Sequence, residues 1–250
     1  MQPNFCKICD PRFQYKDCIC SSNFKEFENI KSNIQTNIKC NNFNIIKTWD
    51  VSTITACCSF NSEIDILKYI DRYSSKNDNK KPFYNCANVY ITVKYQAKPR
   101  VSAKIFSNGN IQLAGVLNPM SITYAIRKLF KRLQDLNSFK STSIISNVRI
   151  CMINSDFKID KNIKQSFLCK LMEQSNIKNV KTYSFNPNKY PGVNIKMKCE
   201  ESPKIMSCII FRPGSVIITG GNDINSYEKI FKSIIETFNY YGEDMFTTPQ

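Results

Sequence analysis

The 250-residue sequence predicts an α+β fold made from one unit used twice: strand, helix, three strands, long helix. Three observations predict it. First, VSAKIFSNGNIQLAGV at 101–116 returns 105 residues later as MSCIIFRPGSVIITGG at 206–221. Ser102, Ile105, Phe106, Gly109 and Gly115 match Ser207, Ile210, Phe211, Gly214 and Gly220 in register. Each copy reads as strand, tight turn, strand, and the turns Ser-Asn-Gly-Asn and Arg-Pro-Gly-Ser suit a hairpin. Second, an alternating strand precedes each hairpin. Val89, Ile91, Val93 and Tyr95 share one face in the first copy, and Val193, Ile195, Met197 and Cys199 do so in the second. Third, apolar residues at helical spacing follow each hairpin. Ile122, Ala125, Ile126, Leu129, Phe130 and Leu133 form one stripe; Tyr227, Ile230, Phe231, Ile234, Ile235 and Phe238 form the other.

Along the chain, residues 1–45 are a cysteine-rich extension, and their second half, 21–45, suits a short helix or a linker. Repeat 1 occupies 46–137. It opens with the strand VSTITACCSF (51–60) and the helix EIDILKYI, and the polar run SSKNDNKKP (74–82) is an insertion loop within it. The Ser- and Thr-rich stretch 138–144 reads as a linker. Repeat 2 occupies 145–242. It opens with VRICMINSDF (148–157) and a helix between Asp160 and Met172, with Asp160 as its N-cap. Residues 243–250 form a tail. Arg127, Lys128, Lys131 and Arg132 fall opposite the apolar stripe of their helix and are expected in solvent.

The formal net charge is +15, from 35 basic and 20 acidic residues, and such an excess attracts polyanions, nucleic acid above all. Lysines outnumber arginines 28 to 7, a bias that an A/T-rich genome also produces. No apolar run approaches the roughly 18 residues of a membrane span. The start, MQPNFCKICD, lacks the charged-then-apolar pattern of a secretory signal, so an intracellular protein without membrane association is expected. Twelve cysteines stand beside no histidine. Without imidazole the usual general base is missing, which argues against triad chemistry and histidine-type zinc catalysis. Cys6 and Cys9, then Cys18 and Cys20, either hold one structural zinc as four thiolates or are reduced thiols in an arm. Cys57, Cys58, Cys151 and Cys208 lie in strands and read as small hydrophobes. No cofactor is required.

YPGVNIKMK, then IMSCIIFRPGSVIITGG, then a helix beginning near Ser226 resemble the TATA-binding protein family. They match its Phe-Pro-Gly strand and its Phe-x-x-Gly hairpin ending in Thr-Gly, and the resemblance covers roughly 46–242. It implies a saddle: two pseudo-symmetric repeats in one curved antiparallel sheet, with helices on the convex face and the minor groove of duplex DNA on the concave face. Four aromatic wedges would pry open base steps and bend the DNA, the mechanism for which the TATA-binding protein is itself the standard example. A/T-rich sites, whose steps kink cheaply, would be preferred. The resemblance makes Phe106 and Phe211 the hairpin wedges and Tyr190 the partner wedge of repeat 2. The fourth wedge is open between Phe83, Tyr84 and Tyr90. In each hairpin the preceding isoleucine, Ile105 or Ile210, would face the core and the phenylalanine the other side. Asn147 matches the family's groove-reading asparagine, with Asp50 as its counterpart in repeat 1. Thr219 matches a groove-contacting threonine, which is Ala114 in repeat 1. Lys196 matches a phosphate-binding arginine, Lys94 is its expected counterpart, and Lys104 adds charge to the concave face.

The function expected is that of a non-enzymatic transcription initiation factor, with double-stranded DNA, general transcription factors and RNA polymerase as partners. The alternative is an interaction module that keeps the fold without bending DNA, which Asp50 and the unequal wedges favour. The divergence and composition suggest a large DNA virus or a protist as source. The site of action would be the nucleus or, in a virus, the cytoplasmic replication compartment or virion.

Overall fold

A computed structural model describes residues 22–40, 46–73, 85–94, 96–174, 177, 179–199 and 203–247. They cluster into two compact units. Of these, residues up to 27 and between 53 and 151 belong to the first, and those between 28 and 52 and between 152 and 247 to the second.

Helix α1 (Ser22–Cys40) buries Phe27, Ile30 and Ile34, a stripe at helical spacing. After it come β1 (Ile46–Ser59), α2 (Ile66–Tyr73), β2 (Cys86–Thr92), β3 (Arg100–Phe106), β4 (Asn110–Val116) and α3 (Pro119–Asp135). The strands pair antiparallel in the order β2-β3-β4-β1. The β3–β4 hairpin turns at Gly109, where φ is +86° and a Cβ would stand 2.3 Å from the Ser62 carbonyl oxygen. A side chain has no room there and the backbone conformation disfavours one. Asn118 caps α3 by accepting from the Ser121 N–H at 2.8 Å, with Pro119 in the first turn. The whole apolar stripe expected for α3 is buried, and Phe130 meets Phe60 of the β1 end edge-to-face at 5.1 Å.

The second repeat follows the same order with additions. It runs β5 (Ser146–Ile159), β6 (Asn162–Ile163), α4 (Gln165–Glu173), β7 (Val180–Asn186), β8 (Tyr190–Lys198), β9 (Ile205–Phe211), β10 (Ser215–Thr219) and α5 (Ile224–Tyr241). A 3-10 turn, Gly242–Met245, leads to β11 (Phe246–Thr247). The strand order is β5-β10-β9-β8-β7, all antiparallel. Gly214 repeats Gly109: φ is +86°, and a Cβ would lie 2.0 Å from the Ile159 carbonyl oxygen. Asp223 caps α5 through the N–H groups of Asn225 and Ser226, so the helix starts two residues before the expected Ser226. Its apolar stripe is buried, and Tyr227 donates to the Ile153 carbonyl and accepts from the Gly221 N–H at 3.1 Å.

Two expectations need correction. Asp160 is not the α4 N-cap. The residues after it pair as β6 with β11, so α4 starts only at Gln165, and Lys164 at the cap position gives no side-chain bond. Repeat 2 has four strands between its helices, because β7 adds an edge. Within the linker, Phe139 packs on Phe60 and Phe130, and Lys140 pairs with Glu63 at 2.8 Å. At the start of the tail, Met245 and Phe246 are buried.

Candidate nucleic-acid interface

In each unit the strands alternate between a helix-covered face and an open face. In the second unit Ile195, Met197 and Ile210 meet Leu168 of α4 and Ile234 and Phe238 of α5. Their strand neighbours turn the other way. Phe211 follows the buried Ile210, is itself half-buried, and lies 5.7 Å from the exposed ring of Tyr190 at an interplanar angle of 64°. Gly192, paired across the ladder with Phe211, makes this possible. A Cβ there would stand 2.7 Å from Ile209 Cγ2 and 3.1 Å from both rings. The open face continues with Ile209, Ile217 and Thr219, all half-buried. Thr219 donates to Asn154 Oδ1 of β5. Lys196 holds its ammonium 2.6 Å from Ser207 Oγ.

The open face of the first unit is built on the same register. Phe106 is half-buried beside the fully buried Ile105, and Cys86 stands opposite it where Gly192 stands opposite Phe211. Lys104 is exposed between Asn88 and Gln112, and Ala114 occupies the place of Thr219. Tyr90, also on this face, carries the Arg100 guanidinium 3.6 Å from its ring centroid. Asn147 is exposed, with φ +53°, a left-handed conformation that asparagine tolerates. On β1, Cys57 contacts the Cys151 thiol; burial first, then Cys151, pushes its pKa up to about 11, so it is a protonated thiol at neutral pH. Cys58 and Cys208 are buried as small apolar groups.

A family model described as transcription factor TFIID, or TATA-binding protein, matches residues 48–136 and 154–241, one match for each repeat. The chain belongs to the TATA-binding protein family. It is similar to a "TATA-box-binding protein-like" protein of Acanthamoeba polyphaga mimivirus, 27% identical over 66% of this chain and 49% of that one. The chain thus spans about half the length of this relative. It is also 23% identical to a TATA-box-binding protein of Pyrobaculum islandicum, over 69% of this chain and 77% of the relative. The solved structure of the Methanococcus jannaschii TATA-binding protein superposes with a TM-score of 0.55 at 15% identity, covering 77% of this chain and 98% of that one. At that identity the superposition establishes the fold alone.

Against this family frame, Phe106, Phe211, Tyr190, Lys104, Lys196 and Thr219 all lie on open faces. Lys94 does not hold the expected register. Lys196 stands opposite Ser207, four residues before Phe211; opposite Ser102, four residues before Phe106, stands Tyr90. Lys94 lies beyond the end of β2, near α3. There burial, then the charges of Arg132 and Lys94, hold the Lys128 ammonium below its ordinary value. The same register bears on the fourth wedge. Tyr190 is two residues before Gly192, and two before Cys86 is Tyr84, which lies outside the described residues together with Phe83. Asp50 accepts from Lys31 of α1 at 2.7 Å, so its carboxylate already has a cation. Sequence reasoning missed Asp156, whose ladder partner on the open face is Ile217. The signal was present: Ile153, Ser155 and Phe157 are buried, and Asn154, Asp156 and Lys158 alternate with them. Cys6, Cys9, Cys18 and Cys20 lie outside the described residues; among the described residues no cluster of three or more metal ligands occurs. No helix of the described residues is long and apolar enough to cross a membrane.

Proposed function

We propose that the protein is a transcription initiation factor that binds A/T-rich duplex DNA through the minor groove, bends it, and engages general transcription factors and RNA polymerase. It acts by binding, without catalysis. The observation that carries this reading is the Tyr190–Phe211 ring pair on the open face, cleared by Gly192. Two flat rings at the end of an apolar strip of Ile209 and Ile217 are the geometry a wedge needs. An inserted ring replaces the stacking that a kinked base step loses, at a cost of a few kcal/mol per step. The apolar strip suits a groove floor that offers few hydrogen-bond donors.

The paired change Phe106→Ala with Phe211→Ala tests it. A core phenylalanine cut to alanine costs about 3–5 kcal/mol. Half-exposed wedges should cost far less, so the double variant is expected to melt close to the parent. On an A/T-rich duplex labelled at both ends it should lose the bend. A variant that bends DNA as the parent does would sink the wedge reading, and one that melts far below the parent would make the rings core residues. The second reading, an interaction module without bending, draws on Asp50, a carboxylate that cannot donate to groove acceptors where the family has an asparagine, and on Asp156, an open-face carboxylate that would repel phosphate. It predicts that the parent itself leaves the duplex straight.

A further inference from the structure

The two repeats carry their open-face cations on different strands. In the second repeat Lys196 of β8 lies opposite Ser207 and donates to its hydroxyl, while Ile205 of β9 is 54% exposed. In the first repeat the position facing the matching serine, Ser102, is Tyr90, a neutral ring. Ser102 turns instead to Asn88, donating to its Oδ1 at 2.9 Å. The charge reappears one strand over. Arg100 is six residues before Phe106, as Ile205 is six before Phe211, and it shares the open face with Tyr90. Cation and large apolar group have exchanged strands between the repeats.

We propose that Arg100, held over the Tyr90 ring, is the phosphate-binding residue of the first repeat and takes a backbone phosphate of duplex DNA; this rests on the DNA-binding reading above. The guanidinium carbon is 3.6 Å from the ring centroid, a stacking distance. A ring face offers a guanidinium no hydrogen-bond acceptor, so its N–H donors keep their fork for two phosphate oxygens. The ring also fixes a long side chain before DNA arrives, so less freedom is lost on binding. The surroundings favour an anion: from 86 to 116 the sequence contains no acidic residue, and Lys104 adds a second cation on the same face. Tyr90 is 51% exposed, so the stack is accessible.

The experiment measures the affinity of the full chain for an A/T-rich duplex across a range of salt, for the parent and for Arg100→Gln, Arg100→Lys, Tyr90→Leu and Lys94→Gln. Each phosphate neutralised contributes about 0.9 to the log–log slope. Arg100→Gln should reduce the slope by about that amount. Arg100→Lys should keep the slope and bind more weakly than the parent, because the charge stays and the fork is lost. Tyr90→Leu should likewise keep the slope and weaken binding. Lys94→Gln should change neither. An unchanged slope in Arg100→Gln, a slope lost in Lys94→Gln, or parental affinity in Tyr90→Leu would overturn the assignment and leave the DNA-binding reading standing. A parent whose duplex affinity ignores salt would overturn both. Thermal melts of all variants, changed at exposed positions, confirm that folding is not the cause.

Discussion

Gly192 shows how one missing methyl shapes the candidate interface. A Cβ there would press on Ile209 Cγ2 at 2.7 Å and on the rings of Tyr190 and Phe211 at 3.1 Å. These are side-chain atoms, so Gly192→Ala is expected to fold, at a cost of about 1–3 kcal/mol for the crowding. It should displace the ring pair and reduce the bend measured by end-to-end fluorescence transfer; an unchanged bend would mean that ring placement is irrelevant to bending. Asp156 makes the opposite prediction. Its carboxylate faces the side where phosphates would approach. Unit charges about 4 Å apart interact by roughly 1 kcal/mol in water, about fivefold in affinity. Asp156→Asn should therefore tighten duplex binding at low salt, with the gain shrinking as salt rises; weaker binding would place the carboxylate away from DNA. Much of this site was readable from sequence alone. Phe106 and Phe211 each follow an isoleucine, and alternation then fixes their face. Tyr90 as the register counterpart of Lys196 was not readable. Alternation within β2 cannot say which residue of β3 lies opposite, since that depends on how the connection from 93 to 99 folds.

At the scale of elements, the long helices were legible because six apolar residues at helical spacing leave few alternatives, and all of them are buried. Their ends were less legible. Asp223 and Asp160 are equally good caps by residue type, yet Asp223 caps α5, while the residues following Asp160 pair with β11. That pairing spans more than eighty residues, and no local signal announces it. β7 escaped notice because it is an edge strand whose side chains are exposed or half-buried, without a clean apolar alternation. Helix α1, left open between helix and linker, precedes the family match and yet contributes to the core: Ile34 is fully buried, and Lys31 is tied to Asp50. Ile34→Ala should cost about 2–5 kcal/mol in a denaturant melt. Lys31→Ala should cost no more than about 1 kcal/mol, because Asp50 is largely exposed and water screens the pair. Equal small effects would mean that α1 docks without joining the cooperative core.

For the whole molecule, the net charge of +15 and the charge on the open faces are separate quantities. Composition reports only the first. Many cations ride on the solvent sides of helices, such as Lys131 on α3, Lys170 on α4 and Lys232 on α5. Others stand on open faces: Lys104 on β3, and Lys196 and Lys198 on β8. Distant charges raise the potential that draws DNA in and so speed encounter. Counterions are released only where ammonium groups meet phosphates, and that release sets the salt slope of affinity. Two triple variants separate these effects, each removing three positive charges. Changing Lys104, Lys196 and Lys198 to Gln should flatten the log–log slope by up to about 2.7, at about 0.9 per phosphate. Changing Lys131, Lys170 and Lys232 to Gln should leave the slope near the parent's while slowing association at low salt. The measurement is duplex affinity at several salt concentrations, together with stopped-flow association rates. If both triples flatten the slope equally, the protein holds DNA by its overall charge, and the open faces have no special part in binding. If only the first does, the lysines of β3 and β8 are where the duplex lies.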